Sequence, residues 1–132
     1  MSSIFTKIIR GEIPGYKIAE NEQCFAFLDI NPLAKGHTLV VPKKEVDYLF
    51  DLDETLHSAL WSFSKKVSHA ILKAVPCKRI GVAVIGLEVP HAHIHLIPMN
   101  RVSDMNFALP KKSFSKEEYE ETAEAIRRQF NG

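Results

Sequence analysis

Seven residues in the last third of the chain, His91-Ala92-His93-Ile94-His95-Leu96-Ile97, alternate imidazole and apolar side chains between Pro90 and Pro98. A period of two belongs to a β-strand, whose successive side chains point to opposite faces. On a helix His93 would sit across from the other two rings. Proline at either end suits a strand terminus. The segment predicts a strand over 91–97 with its three imidazoles along roughly 13 Å of one sheet face. A strand carrying Ala92, Ile94 and Leu96 on its other face must cover that face, so the rest of the chain has to supply partner strands and a helix.

The pattern supplies both. Ile4, Phe5, Ile8 and Ile9 recur at helical steps and predict a short amphipathic helix, stopped by Gly11 and Pro14-Gly15. Two β-rich runs, 16–20 and 24–28, flank Asn21-Glu22-Gln23 and read as a hairpin. Asp29-Ile30-Asn31-Pro32 is turn chemistry, Lys35-Gly36 closes that loop, and 37–41 reads as a third strand before Pro42. Asp51 or Asp53 can cap a helix over 54–74, where Leu56, Leu60, Phe63, Val67, Ala70 and Ile71 form one apolar stripe. Pro76 ends it. A fourth strand is expected over 79–85, apolar enough to be central. A terminal helix is expected over 115–130, opened by the capping box Ser115-x-x-Glu118. The fold class is α+β: one domain over 1–132, an antiparallel meander of about five strands, one long helix and a C-terminal helix.

Charge narrows the function. Lys and Arg number 17 against 16 Asp and Glu, a net charge of +1. That balance gives no general attraction to nucleic acid or an anionic membrane, so a bound anion needs a local site. No run approaches the ~18 apolar residues of a membrane span. The N-terminus lacks a signal peptide's apolar core. Cys24 and Cys77 lie far apart and form no metal or disulfide pattern. They are expected to be reduced thiols in a cytoplasmic protein.

Three readings of His91, His93 and His95 compete. They can be a solvated face of an edge strand. They can ligate zinc, but no Cys, Asp or Glu of the segment shares their parity to complete the set. Or one can be a nucleophile, since neutral imidazole attacks phosphorus well near neutral pH while its neighbours orient it and stabilise phosphate oxygens.

The segment resembles the His-φ-His-φ-His-φ-φ signature of the histidine triad (HIT) family. Residues 4–14, Ile4-Phe5-x-Lys7-Ile8-Ile9-Arg10-Gly11-Glu12-Ile13-Pro14, resemble that family's opening. Phe25 to Pro32 followed by Lys35 to Lys43 resemble its nucleotide-binding strands. The resemblance runs over about residues 3 to 99, and the Hint-type branch is the most similar. It implies a HIT fold, a homodimer and a hydrolase or transferase acting at the α-phosphorus of purine nucleotidyl conjugates, of the nucleoside phosphoramidate type. By the same resemblance His93 is the nucleophile, forming a nucleotidyl-histidine that water hydrolyses, with His91 and His95 flanking it. Asp29 is implied to bind the ribose hydroxyls, and Phe5, Ile8, Phe27 and Ile30 the base. His37 matches a family histidine near the triad. No cofactor is implied. Two rivals are a dinucleoside polyphosphate hydrolase and a low-turnover nucleotide-binding module that works through protein partners.

The chain departs from the family pattern in three places. Many prokaryotic relatives open with Cys-x-x-Cys, part of a zinc site, where this chain has Ser3 and Thr6, so no metal is expected. Relatives carry Asn and Gln amides before the triad, where this chain has Val84-Ile85-Gly86-Leu87-Glu88. Glu88 stands three residues before His91, where a small hydroxyl is common, and is expected to face the substrate phosphate.

Overall fold

A computed structural model describes residues 2–131. Helix α1 (Ile4–Ile9) leads into strands β1 (Lys17–Glu20), β2 (Cys24–Leu28) and β3 (Thr38–Pro42). Helix α2 (Glu54–Ala74) follows, then β4 (Arg79–Ala83), β5 (Ile94–Met99) and α3 (Lys116–Gln129). Short 3-10 turns at Leu49–Asp51 and Val102–Asp104 precede α2 and follow β5.

The five strands form one antiparallel sheet in the order β1-β2-β3-β5-β4. The expected five antiparallel strands are present, but strict meander order breaks once, because β5 inserts between β3 and β4. The strand expected over 79–85 ends at Ala83 and is an edge, not a central strand. The physical reason lies in coverage. Every residue of β5 from Ile94 to Pro98 is buried, whereas β4 leaves Arg79 and Val82 exposed. Gly81 of β4 offers no side chain to pack, and Met99 already fills the space where a Cβ would stand.

The expected helix over 54–74 matches α2, and Asp53 rather than Asp51 caps it, accepting from the Leu56 N–H at 2.8 Å. Its stripe of Leu56, Leu60, Phe63, Val67 and Ile71 is buried against Ala26, Leu28, Val40, Ile94 and Leu96 of the sheet. Each such side chain contributes roughly 1.5–3 kcal/mol on burial. Trp61 lies just off the stripe, is exposed, and donates its indole N–H to His57. Helix α3 carries the Ser115–Glu118 capping box and packs on α2, with Phe130 edge-on to Phe63.

The opposite sheet face has a smaller cluster of Phe25, Phe27, Leu39 and Val41, covered by Phe5 of α1. Strand pairing aligns Phe27 with Leu39 and Leu39 with His95. His95 therefore emerges on the α1 face while Ile94 and Leu96 serve the α2 core. The loop before β3 closes at Gly36 in a left-handed conformation, φ +88°, where a Cβ would also stand 2.9 Å from Val75. Only glycine fits both conditions.

Candidate functional site

A cavity of about 490 Å³ opens on the α1 face of the sheet. Phe5 and Ile8 of α1, Phe27 of β2 and Ile30 of the following turn all line it, together with Asp29, Glu88, His93 and His95. The four apolar residues expected beside a base thus share one wall system. Phe5 and Phe27 are buried and meet edge-on at 5.4 Å, whereas Ile30 is exposed at the mouth.

The three histidines of the alternating segment do not lie on one regular strand. Strand β5 begins at Ile94, so His91 and His93 belong to the extended approach, and the strand expected over 91–97 starts three residues late. His91 N bonds to Val89 O at 2.8 Å and Ala92 N to Val46 O at 2.7 Å, which takes this stretch out of the ladder. The consequence is a division among the rings. His93 and His95 face the cavity with ring centres 5.0 Å apart. His91 is fully buried behind them and does not line it.

Hydrogen bonds set the tautomer of each ring. The Nδ1 of His93 lies 2.7 Å from the backbone O of His91. A carbonyl only accepts, so Nδ1 carries a proton, and in the neutral ring the lone pair is therefore on Nε2. His37 Nδ1 accepts from the Leu33 N–H at 3.0 Å, so its proton sits on Nε2. That Nε2–H reaches His95 Nδ1 at 3.0 Å, with an oxygen of Asp29 at 3.4 Å. His95 must accept on Nδ1 and therefore holds its own proton on Nε2. Neighbouring rings thus present opposite functions: a lone pair on His93 and an N–H donor on His95. Burial above all, reinforced by Lys111 and His93, pushes the His37 pKa down to about 4. Burial, with His37 and His93, does the same for His95, also to about 4, so both rings are neutral near pH 7.

His37 is 1% exposed and does not line the large cavity; its route to the site is through His95. Asp29 is held from two sides. Its Oδ1 accepts from Asn31 N–H at 2.8 Å, closing the turn, and its backbone O accepts from the Tyr119 hydroxyl at 3.1 Å. Tyr119 is itself stacked on Tyr16 at 4.7 Å. The turn-forming and ligand-facing readings of Asp29 are therefore compatible, one oxygen serving each. Glu88 lines the cavity and has no ion pair among the described residues.

His91 sits in a different environment. Its Nε2 donates to Pro42 O at 2.7 Å, and its Nδ1 lies 2.7 Å from Ser3 Oγ. Burial is the main cause that lowers its pKa. Ser3, Thr6 and Glu45 complete a hydrogen-bonded cluster here, with Ser3 and Thr6 at the two positions where the family resemblance sets a Cys-x-x-Cys pair. Neutral hydroxyls already engaged with a carboxylate and an imidazole do not fit a zinc site. Among the described residues, Asp29, His37 and His95 offer potential metal-ligand atoms within 4.8 Å of one another.

Three site residues had no sequence signal. Phe107 and Lys111 come from the irregular stretch after β5; Phe107 lies edge-on to His95 at 4.9 Å, and Lys111 is the one Lys or Arg lining the cavity among the described residues. Glu45, in the loop after β3, has no periodic or motif context.

The model of the HIT domain matches residues 10–102. An adenosine 5'-monophosphoramidase of Schizosaccharomyces pombe is 34% identical over 132 residues, 96% of each chain. An adenylylsulfatase of Arabidopsis thaliana is 37% identical over 100 residues, 72% of this chain and 51% of that protein. The crystal structure of a Hit-like protein involved in cell-cycle regulation from Bartonella henselae superposes with a TM-score of 0.84 at 33% identity, covering 98% of this chain and 97% of that one.

Proposed function

The chain belongs to the histidine triad (HIT) family, and on that premise we propose that it is a nucleotide hydrolase acting at the α-phosphorus of purine nucleoside phosphoramidates. The observation that carries this reading is the tautomer pair in the cavity, a His93 Nε2 lone pair beside a His95 Nε2–H. His93 Nε2 attacks the α-phosphorus, the P–N bond breaks with its electron pair going to the nitrogen, which takes a proton from solvent and leaves as the amine, and a nucleotidyl-histidine forms. Water then attacks the same phosphorus and gives up a proton to solvent, releasing the nucleoside monophosphate and returning the electron pair to Nε2. His95 Nε2–H donates to a phosphoryl oxygen as charge grows on it. Asp29 Oδ2 accepts from the ribose hydroxyls, and the base lies between Phe5, Ile8, Phe27 and Ile30.

Glu88 favours an amine leaving group over the polyphosphate tail of a dinucleoside polyphosphate. Were this carboxylate to stand about 5 Å from a phosphate charge, at an effective dielectric near 20, it would repel it by on the order of 3 kcal/mol. An amine brings no such charge, and Lys111 balances the α-phosphate. A homodimer belongs to the same proposal: β4 is an open edge with Val82 and Val84 exposed beside it, a surface that a second copy would cover. The two free cysteines suit a cytoplasmic setting. No helix among the described residues is long and apolar enough to cross a membrane.

The test is to mix the protein with an adenosine phosphoramidate, quench in acid-free denaturant, and measure intact mass. An adenylyl adduct that disappears in His93→Ala, with nucleotide binding kept within about tenfold, supports the reading. Turnover in His93→Ala above a tenth of the parent rate refutes it. Faster turnover of diadenosine polyphosphates than of the amide would transfer the assignment to that substrate class.

A further inference from the structure

The cluster around His91 joins two parts of the site that sequence separates by 88 residues. One carboxylate oxygen of Glu45 accepts from the Ser3 backbone N–H at 2.7 Å and from the Thr6 hydroxyl at 2.6 Å. Because Thr6 spends its single hydroxyl proton on Glu45, the Ser3 hydroxyl is left to serve His91 Nδ1 at 2.7 Å. Ser3 Oγ meanwhile accepts from the Thr6 backbone N–H at 3.0 Å and so caps α1. On the far side of the ring, His91 Nε2–H is fixed by Pro42 O. The imidazole is thus held at both nitrogens, and with it the peptide whose carbonyl accepts from His93 Nδ1–H.

We infer that Ser3, Thr6 and Glu45 are positioning residues for catalysis, holding His91 so that its backbone carbonyl keeps His93 in the Nδ1–H tautomer. The same cluster seats the first turn of α1, and α1 brings Phe5 against His93 with ring centres 5.0 Å apart. Two constraints on the nucleophile therefore share one anchor. The carbonyl below sets which nitrogen is protonated, and the aromatic edge beside it sets the ring plane. No member of the cluster other than His91 is adjacent to the triad in sequence, and Glu45 is an exposed residue outside the cavity.

Losing Glu45 frees the Thr6 hydroxyl, which lies 3.4 Å from His91 Nδ1, to compete for that nitrogen. It also leaves the Ser3 N–H without its acceptor. Both changes loosen the His91 peptide relative to His93. A His93 that spends part of its time as the Nε2–H tautomer has no lone pair to attack with in that fraction. The defect should appear in kcat, with KM changing less.

This inference rests on His93 being the nucleophile, so its primary readout is made independent of turnover. Long-range proton–nitrogen NMR of ring-labelled protein reports which nitrogen of each histidine is protonated. The parent should show His91 as the Nε2–H tautomer and His93 as the Nδ1–H tautomer. Glu45→Ala and Thr6→Val should shift His93 toward the Nε2–H signature and lower kcat five- to tenfold. Glu45→Gln, which keeps an acceptor oxygen, should restore most of both. If folded Glu45→Ala keeps the parent His93 nitrogen shifts and the parent kcat, the cluster is only structural and the inference fails. The same holds if Glu45→Ala lowers only the melting temperature. If the tautomer shifts while His93→Ala proves active, the positioning role stands and the assignment of the nucleophile fails instead.

Discussion

Acidification should destabilise this protein through its site histidines before its carboxylates are involved. His37 and His95 have their pKa values lowered to about 4 in the folded state, against roughly 6.5 for an unperturbed imidazole. Burial, which disfavours the charged ring, is the main cause, and the hydrogen-bond geometry acts in the same direction. The Leu33 N–H points at His37 Nδ1, so a second proton there would set two donors face to face. His95 Nδ1 is likewise filled by the His37 Nε2–H. With folded values below the unfolded one, both states are neutral above pH 6.5 and stability is complete. Between 6.5 and 4 the unfolded chain takes up protons that the folded chain refuses, and stability falls. Each such proton contributes about 1.4 kcal/mol per pH unit at full difference. Integrated from pH 7.5 to 5, the two rings together cost about 4 kcal/mol. That is a large part of the roughly 5–15 kcal/mol of a typical domain. His91, shifted in the same direction by burial, adds to the loss. Urea unfolding followed by circular dichroism at pH 7.5, 6.5, 5.5 and 5.0 measures it above the range where ordinary carboxylates titrate. His37→Asn, whatever its stability at pH 7.5, should lose only about half as much over the same interval. A parent protein losing less than about 1 kcal/mol between pH 7.5 and 5 would refute the reasoning that burial and hydrogen bonding together keep the pair neutral.

Asp29→Asn keeps the turn bond through its amide oxygen while removing the charge. It should weaken ribonucleotide binding by roughly 1.5–3 kcal/mol and a 2′-deoxy analogue much less; equal losses by calorimetry would confine Asp29 to the turn. Glu88→Ser should raise kcat/KM for a plain adenosine phosphoramidate and move the pH optimum down, and a slower enzyme with a higher optimum would mean that Glu88 takes part in the reaction. Lys111→Ala should raise KM for the nucleotide about tenfold with little change in the melting temperature, because the side chain bonds only to carbonyls of its own loop, at Phe107 and Leu109. Prolonged chelation should leave both activity and melting temperature unchanged; a loss of either, restored by zinc, would point to Asp29, His37 and His95 as a metal site.

Much of this architecture is readable from local pattern. The stripe from Leu56 to Ile71 can be buried in only one way on a 3.6-residue period, and Asp53, Pro76 and the Ser115–Glu118 box mark helix ends by chemistry that acts within a few residues. The apolar wall of the cavity was legible too, because Phe5, Ile8, Phe27 and Ile30 lie inside motifs shared with the family. What the pattern could not convey is coverage. Arg79 to Ala83 has enough β-branched and apolar character for an inner strand, yet which strand is inner depends on what packs over it, and β5 took that place.

The alternating histidines divide the same way. Period two correctly placed Ile94 and Leu96 in the core and His95 on the opposite face, since strand parity is a property of the backbone alone. It could not distinguish one ring from another. His91 is held out of the ladder by its N–H bond to Val89 and by Ala92 bonding to Val46, and its ring is held by Ser3 and Pro42; His95 is given its donor by His37 just ahead of another strand, and neutral His93 has its lone pair on Nε2 because of a carbonyl two residues back. Tautomers follow from which donor or acceptor arrives at each nitrogen, and those groups come from positions 3, 33, 37, 42 and 91. The sequence alone determined that three imidazoles would alternate with core residues along one short segment. Only the tertiary structure decided which presents a lone pair, which presents a proton, and which is a buried strut, because His37 reaches His95 and Ser3 and Pro42 reach His91 from segments far apart in the chain, and even the local carbonyl that holds His93 belongs to the peptide of that buried ring.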